Sequence, residues 1–150
     1  MTRITTTVAI AASPSDVFPW LIEPDRLARW IGGFVGSEAI TDGPTRVGSR
    51  SRDVLEENGR RMVIETEVTD FVVDRRLAVH IRSDSHESDD RYDLEPVKGG
   101  SRLAYVSDMR LKGPMRLMSI AIRPSLRARA ERDLARLREQ VEATTASDAE

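Results

Sequence analysis

Gly113-Pro114 divides this chain into two regimes of hydrophobic spacing, and that division restricts its fold class. From about residue 34 to 112, apolar and polar residues alternate and turn residues recur. Beyond it Met115, Met118, Ile122, Leu126, Ala130, Leu134, Leu137 and Val141 recur at steps of three and four. The first spacing belongs to pleated strands and the second to one face of a long helix. A block of strands followed by one helix is an α+β arrangement with an antiparallel sheet. The 150 residues suffice for one domain with a real core, expected over 1–143, with 144–150 as a flexible tail. Pro124 predicts a kink in the long helix.

The N-terminal third is read from its punctuation. Ile4, Thr6, Val8 and Ile10 alternate as a β-branched strand. Ser13-Pro14-Ser15-Asp16 then places an N-cap, a first-turn proline and a capping acid in order. The helix it starts carries Val17, Phe18, Trp20 and Leu21, with Pro19 keeping it short or bent. Glu23-Pro24-Asp25 breaks it, and a second short helix through Leu27, Trp30 and Ile31 ends at Gly32-Gly33. Asn58-Gly59 is the strongest turn signal, a two-residue hairpin joining 46–57 to 60–72. Asp42-Gly43-Pro44, Asp74-Arg75, Ser83-Asp84-Ser85 and Lys98-Gly99-Gly100 mark the other turns.

Short turns lock the parity of one strand to the next, so the inward set can be read in advance. A turn at Lys98-Gly99 pairs Leu94 with Leu103 and Tyr92 with Tyr105, both on one face. The same parity turns Leu77, Val79, Ile81, Met62, Ile64, Thr66, Val68 and Met109 inward. It also brings in a polar minority: Ser51, Asp53, Ser88, Asp90 and Ser107. A solid core accommodates such groups poorly, whereas a cavity with a few convergent polar groups holds them naturally. The alternative is that Asp53 and Asp90 sit at strand ends open to water, or are turned outward by a bulge. Plain core packing is likewise the alternative for Tyr92, Tyr105, Met115 and Met118.

Other chemistries find little support. There is no cysteine, and a net charge of −2 leaves no broad basic surface for nucleic acid. No signal-peptide pattern and no long apolar run occurs, so a cytoplasmic protein without stable membrane insertion is expected. No catalytic or nucleotide-binding motif is present, and no cofactor is expected. His80 shares the outward parity of Ala78 and Arg82. His86 lies in an acidic turn without a spaced ligand set, so no metal site is assigned. The face of the long helix with Arg127, Arg129, Arg132, Arg136 and Arg138 reads as a solvated surface, with partners such as Asp133.

Three stretches in order resemble one superfamily. They are Ser13-Pro14-Ser15-Asp16-Val17-Phe18 running to Trp30, then Tyr92-Asp93-Leu94-Glu95-Pro96 with Gly99-Gly100-Ser101-Arg102-Leu103, then Lys112-Gly113-Pro114 before a helix containing Asp133-Leu134-Ala135-Arg136-Leu137. Together they are similar to the START-like (SRPBCC, helix-grip) superfamily, in its polyketide cyclase/dehydrase and lipid-transport branch. The resemblance spans about residues 3–142. It implies a curved sheet of about six or seven strands around the long C-terminal helix, with two short helices after the first strand. It also implies carriage of a hydrophobic small molecule, lipid-like or polyketide-like. The runner-up is a cyclase or dehydratase using Asp53, Asp90, Tyr92 or Tyr105, and a third reading is a protein-interaction module like the chaperone-activator relatives. Expected ligand contacts from the strands are Ile64, Thr66, Val79, Asp90, Tyr92, Tyr105, Ser107 and Met109, with Met115, Met118 and Ile122 from the last helix. The oligomeric state is left open.

Overall fold

The computed structural model describes residues 1–148. Strand β1 (Thr2–Ile10) leads into three one-turn helices, α1 (Pro14–Val17), α2 (Pro19–Ile22) and α3 (Pro24–Leu27). Strands β2 (Phe34–Ala39), β3 (Arg50–Glu57), β4 (Arg60–Val72), β5 (Arg76–Arg82), β6 (His86–Val97) and β7 (Gly100–Leu111) follow. A 3-10 segment, Gly113–Met118, opens into α4 (Ser119–Asp148). This is the helix-grip architecture: one curved, seven-stranded antiparallel sheet in the order β1-β7-β6-β5-β4-β3-β2, with α4 on one face.

Local chemistry accounts for most of this. Ser13 Oγ accepts from the Asp16 N–H and donates to the Asp16 carboxylate, which caps α1. Pro19 and Pro24 have no N–H to continue a ladder, so one continuous helix is impossible and three single turns result. Both tryptophans are buried, and the Trp30 Nε1–H donates to the Trp20 carbonyl at 2.9 Å, which closes these turns on themselves. Asn58 and Gly59 both take positive φ, as the two-residue hairpin between β3 and β4 requires. Gly100 also needs its hydrogen side chain, because a Cβ there would run into the Ile10 carbonyl of β1.

The register matches the sequence parity, with Leu94 opposite Leu103, Tyr92 opposite Tyr105, Asp53 opposite Ile64 and Leu55 opposite Met62. Two register shifts were not legible: β2 slips against β3 between Phe34 and Gly36, and a bulge at Thr69 shifts β4 against β5 between Val68 and Asp70. The extra residue reverses the parity, and Phe71 turns inward to meet Phe18 edge-on at 5.4 Å.

Helix α4 packs unevenly. Leu134, Leu137 and Val141 are buried, in one cluster with Ile10, Val17, Trp20, Leu77, Leu94 and Leu103. Burial of those three side chains contributes about 4–9 kcal/mol, enough to anchor the helix from its C-terminal half alone. Ile122, Leu126 and Ala130 are only half-buried. The helix continues through Pro124.

Two expectations are corrected. Residues 144–148 continue α4, and the Thr145 hydroxyl bonds back to the Val141 carbonyl at 3.0 Å. The remainder of the expected tail, 149–150, lies outside the described residues. The cationic face of α4 is also more than a solvated surface. Arg129 donates to the Gly32 carbonyl and Arg136 to the Trp30 carbonyl, while Asp133 accepts from the Gly32 N–H. These side chains clamp the loop before β2, whose carbonyls α3 leaves without partners.

Candidate ligand cavity

The concave face of the sheet changes character along the strands. At one end, Leu77, Leu94 and Leu103 meet the buried part of α4 and the short helices, and the interior is sealed. One step on, the rings of Tyr92 and Tyr105 lie 4.9 Å apart and tilted by 30°, with Trp30 edge-on to Tyr92 at 6.2 Å. Beyond them come Val79, Asp90 and Ser107, then Ile81, Ser88 and Met109, each set in register across β5, β6 and β7. Thr66 and Met62 continue the face on β4. Met62, Thr66, Val79, Ile81, Tyr105 and Met109 are all half-buried. Half-exposed side chains on a concave face beneath a helix border open space, because the N-terminal part of α4 brings no buried side chain to meet them.

The β3–β4 end of this face borders an open cleft of about 970 Å³ between the β3–β4 hairpin, the β5–β6 turn and the 3-10 segment. Leu55, Met62, Ser83, Ser85 and Met115 are among its walls. Of the ligand contacts expected from sequence, Met115 is the one that lines this mouth. Ile64, Thr66, Val79, Asp90, Tyr92, Tyr105, Ser107 and Met109 lie farther along the face, and Ile122 is half-buried above it. Met118 is 52% exposed. The reason is the 3-10 segment: at three residues per turn it slips out of phase with α4, so the stripe that begins at Met115 does not stay on one face.

Two buried carboxylates sit on the concave face, each with its own hydroxyls. Asp90 accepts from Ser107 Oγ at 2.6 Å and from Tyr105 OH at 3.2 Å. Burial raises its pKa above the ordinary aspartate value, outweighing the pull of the Ser107, Tyr105 and Ser88 hydroxyls. Burial likewise raises both phenols, Tyr92 and Tyr105, which therefore stay protonated as donors. Asp53 accepts from Ser37, Ser51 and Thr66 at 2.6, 3.0 and 2.9 Å. Among the described residues no buried side-chain nitrogen or oxygen lacks a partner. Asp53 on β3 and Asp90 on β6 are three strand spacings apart across the sheet, about 14 Å, and four residues apart along the strands. They share no hydrogen-bond partner, so they do not form an acid–base pair.

Sequence reasoning missed two members of this interior. Ser37 could not be assigned a parity because a long loop, rather than a tight turn, joins β2 to β3. Asp133 faces inward beside Gly32, and burial is the leading cause of its raised pKa. His80 lies outside, its Nδ1 2.8 Å from Asp89. His86 Nδ1 is 2.9 Å from Ser83 Oγ, and burial, then the charges of Lys112 and Arg129, lower the histidine's pKa and keep it neutral. Ser83 Oγ also accepts the Ser85 and His86 N–H groups, so this contact closes the turn before β6. Among the described residues no three histidine or acidic side chains are grouped to hold a metal ion, and no helix is long and apolar enough to cross a membrane.

Known proteins share this geometry. The family described as polyketide cyclase / dehydrase and lipid transport matches residues 1–142. No curated protein matches. Among solved structures, protein CV1439 from Chromobacterium violaceum is 20% identical, covering 95% of this chain and 99% of its own, with a TM-score of 0.73. Protein NE0264 from Nitrosomonas europaea is 15% identical with a TM-score of 0.77, covering 97% of both chains. DynU16, from the dynemicin biosynthetic locus, is 17% identical with a TM-score of 0.72, and the match covers 95% of this chain but 48% of DynU16. At these identities the structures show a shared fold.

Proposed function

Given that this chain belongs to the polyketide cyclase/dehydrase and lipid transport family, we propose that it binds and carries a hydrophobic small molecule, lipid-like or polyketide-like, in the open half of its grip. The observation that carries this reading is the half-buried ladder of Met62, Thr66, Val79, Ile81, Tyr105 and Met109, whose Met62 end borders the 970 Å³ cleft beside the 3-10 segment. An apolar body takes the place of water along Ile64, Val79, Met109 and Met115. A hydroxyl or carbonyl on the ligand exchanges hydrogen bonds with Asp90, Ser107 and Tyr105 at the floor, beside Tyr92 and Thr66. The place of DynU16 in a biosynthetic locus supports a natural-product ligand over a structural role.

Native mass spectrometry of the purified protein, under mild and then denaturing conditions, tests this. The expected result is a small molecule released on denaturation, or saturable uptake of an apolar fluorescent probe. Absence of both refutes the reading.

A second reading rests on Asp90 alone. A buried carboxyl of raised pKa next to a protonated Tyr105 can take a proton from carbon while the phenol steadies a carbonyl, as cyclisation or dehydration requires. Asp53 lies too far away to assist. Asp90→Asn separates the two readings: the amide still hydrogen-bonds a ligand but cannot take a proton, so only an enzyme loses turnover while ligand stays bound.

A further inference from the structure

From Arg110 to Ala130 the chain holds six cationic residues, Arg110, Lys112, Arg116, Arg123, Arg127 and Arg129, and no acidic one, although acids outnumber bases 25 to 23 overall. Four of the six are matched: Arg110 with Asp89, Lys112 with Glu87, Arg127 with Glu131 and Arg129 with Glu57. Arg116 and Arg123 make no ion pair among the described residues. Between them Leu117 is 93% exposed, Ile120 88% and Met118 52%. On α4, Ile120 and Arg123 lie three residues apart on one face, with Arg127 four further on. Large side chains this bare, set among unpaired guanidiniums, are not ordinary surface.

We propose that the segment from Met115 to Arg127 is a reversible docking surface for the interface of a membrane containing anionic lipids. One layer of such a membrane meets both halves of the patch: acyl chains receive Leu117, Met118 and Ile120, and phosphates receive Arg116 and Arg123. A second copy related by a two-fold axis would instead gather four unpaired guanidiniums in one interface, with no acid in the patch to match them. Met115 begins the patch and also lines the cleft mouth, with Arg60 on the same rim. Docking therefore sets the mouth against lipid. The cleft lining also holds the acids Glu57 and Asp84, of which Glu57 is already held by Arg129, and the further cation Arg61.

The proposal does not depend on what the cavity holds, because vesicle binding is measured without cargo. The test is co-sedimentation of the full chain with vesicles of phosphatidylcholine, alone or with one quarter phosphatidylglycerol. Binding is expected on the anionic vesicles, at least about tenfold weaker on phosphatidylcholine alone, and falling as salt rises. Leu117→Glu with Ile120→Glu, and separately Arg116→Glu with Arg123→Glu, should each weaken it at least about tenfold with an unchanged melting temperature. No binding to anionic vesicles, or binding that both pairs leave intact, overturns the proposal. So does a concentration-dependent dimer that the Leu117/Ile120 pair dissolves, or equal binding to polyglutamate that this pair does not change.

Discussion

Removing one hydroxyl beneath Asp90 probes the interior directly. Ser107 Oγ donates to the carboxylate at 2.6 Å in a buried setting. A hydrogen bond to a charged group contributes about 1.5–3 kcal/mol, against about 0.5–1.5 kcal/mol for a neutral one. Ser107→Ala should therefore cost about 2 kcal/mol at pH 8, and at this chain length that lowers the melting temperature by about 4–8 °C. The sign of the pH dependence follows from the raised pKa of Asp90. The native state holds this proton more tightly than the unfolded chain, so the wild type loses stability as pH rises from about 4 through the folded value. At the acid end the carboxyl is neutral and the Ser107 bond is worth less. The penalty of Ser107→Ala should accordingly shrink towards pH 4 and be small at every pH in an Asp90→Asn background. Thermal melts of the four proteins in this cycle across that range provide the assay. A penalty flat with pH, or undiminished in the Asp90→Asn background, would refute the account of a buried charge held by hydroxyls.

Three further outcomes follow from packing. Leu137→Ala at the sealed end should cost about 2–5 kcal/mol in denaturant unfolding and leave probe uptake unchanged, since Leu137 is fully buried away from the cleft. Ile81→Trp in the open half should abolish probe uptake with less than about 1 kcal/mol of destabilisation, because the indole enters empty space. A loss of about 1–3 kcal/mol would instead report an interior already full. Gly100→Ala should unfold the β1–β7 edge, with a loss above about 2 kcal/mol by chemical denaturation, because its Cβ meets the Ile10 carbonyl at a φ of 152°.

Much of the inward face was legible before any coordinates. Leu94 opposite Leu103, Tyr92 opposite Tyr105 and Asp53 opposite Ile64 follow from two tight turns and the strict alternation of a strand. Where the chain departs from tight turns, parity reasoning stops. The bulge at Thr69 reversed Phe71, and the long loop before β3 hid Ser37. The short helices were legible as bent, but two prolines divide them into three turns.

The sequence by itself determined the elements, their order, the hairpin registers and the inward side chains of strands joined by tight turns, because each depends on neighbours a few bonds or one turn away. Tertiary structure alone decided that α4 is held by Leu134, Leu137 and Val141 while Ile122, Leu126 and Ala130 stay half-buried. It also decided that Asp53 and Asp90 are served by separate hydroxyls, and that Arg129, Asp133 and Arg136 bind a loop rather than water. The physical reason is volume: a hollow is the difference between the space two curved surfaces enclose and the side chains they contribute. No local periodicity along the chain encodes that difference.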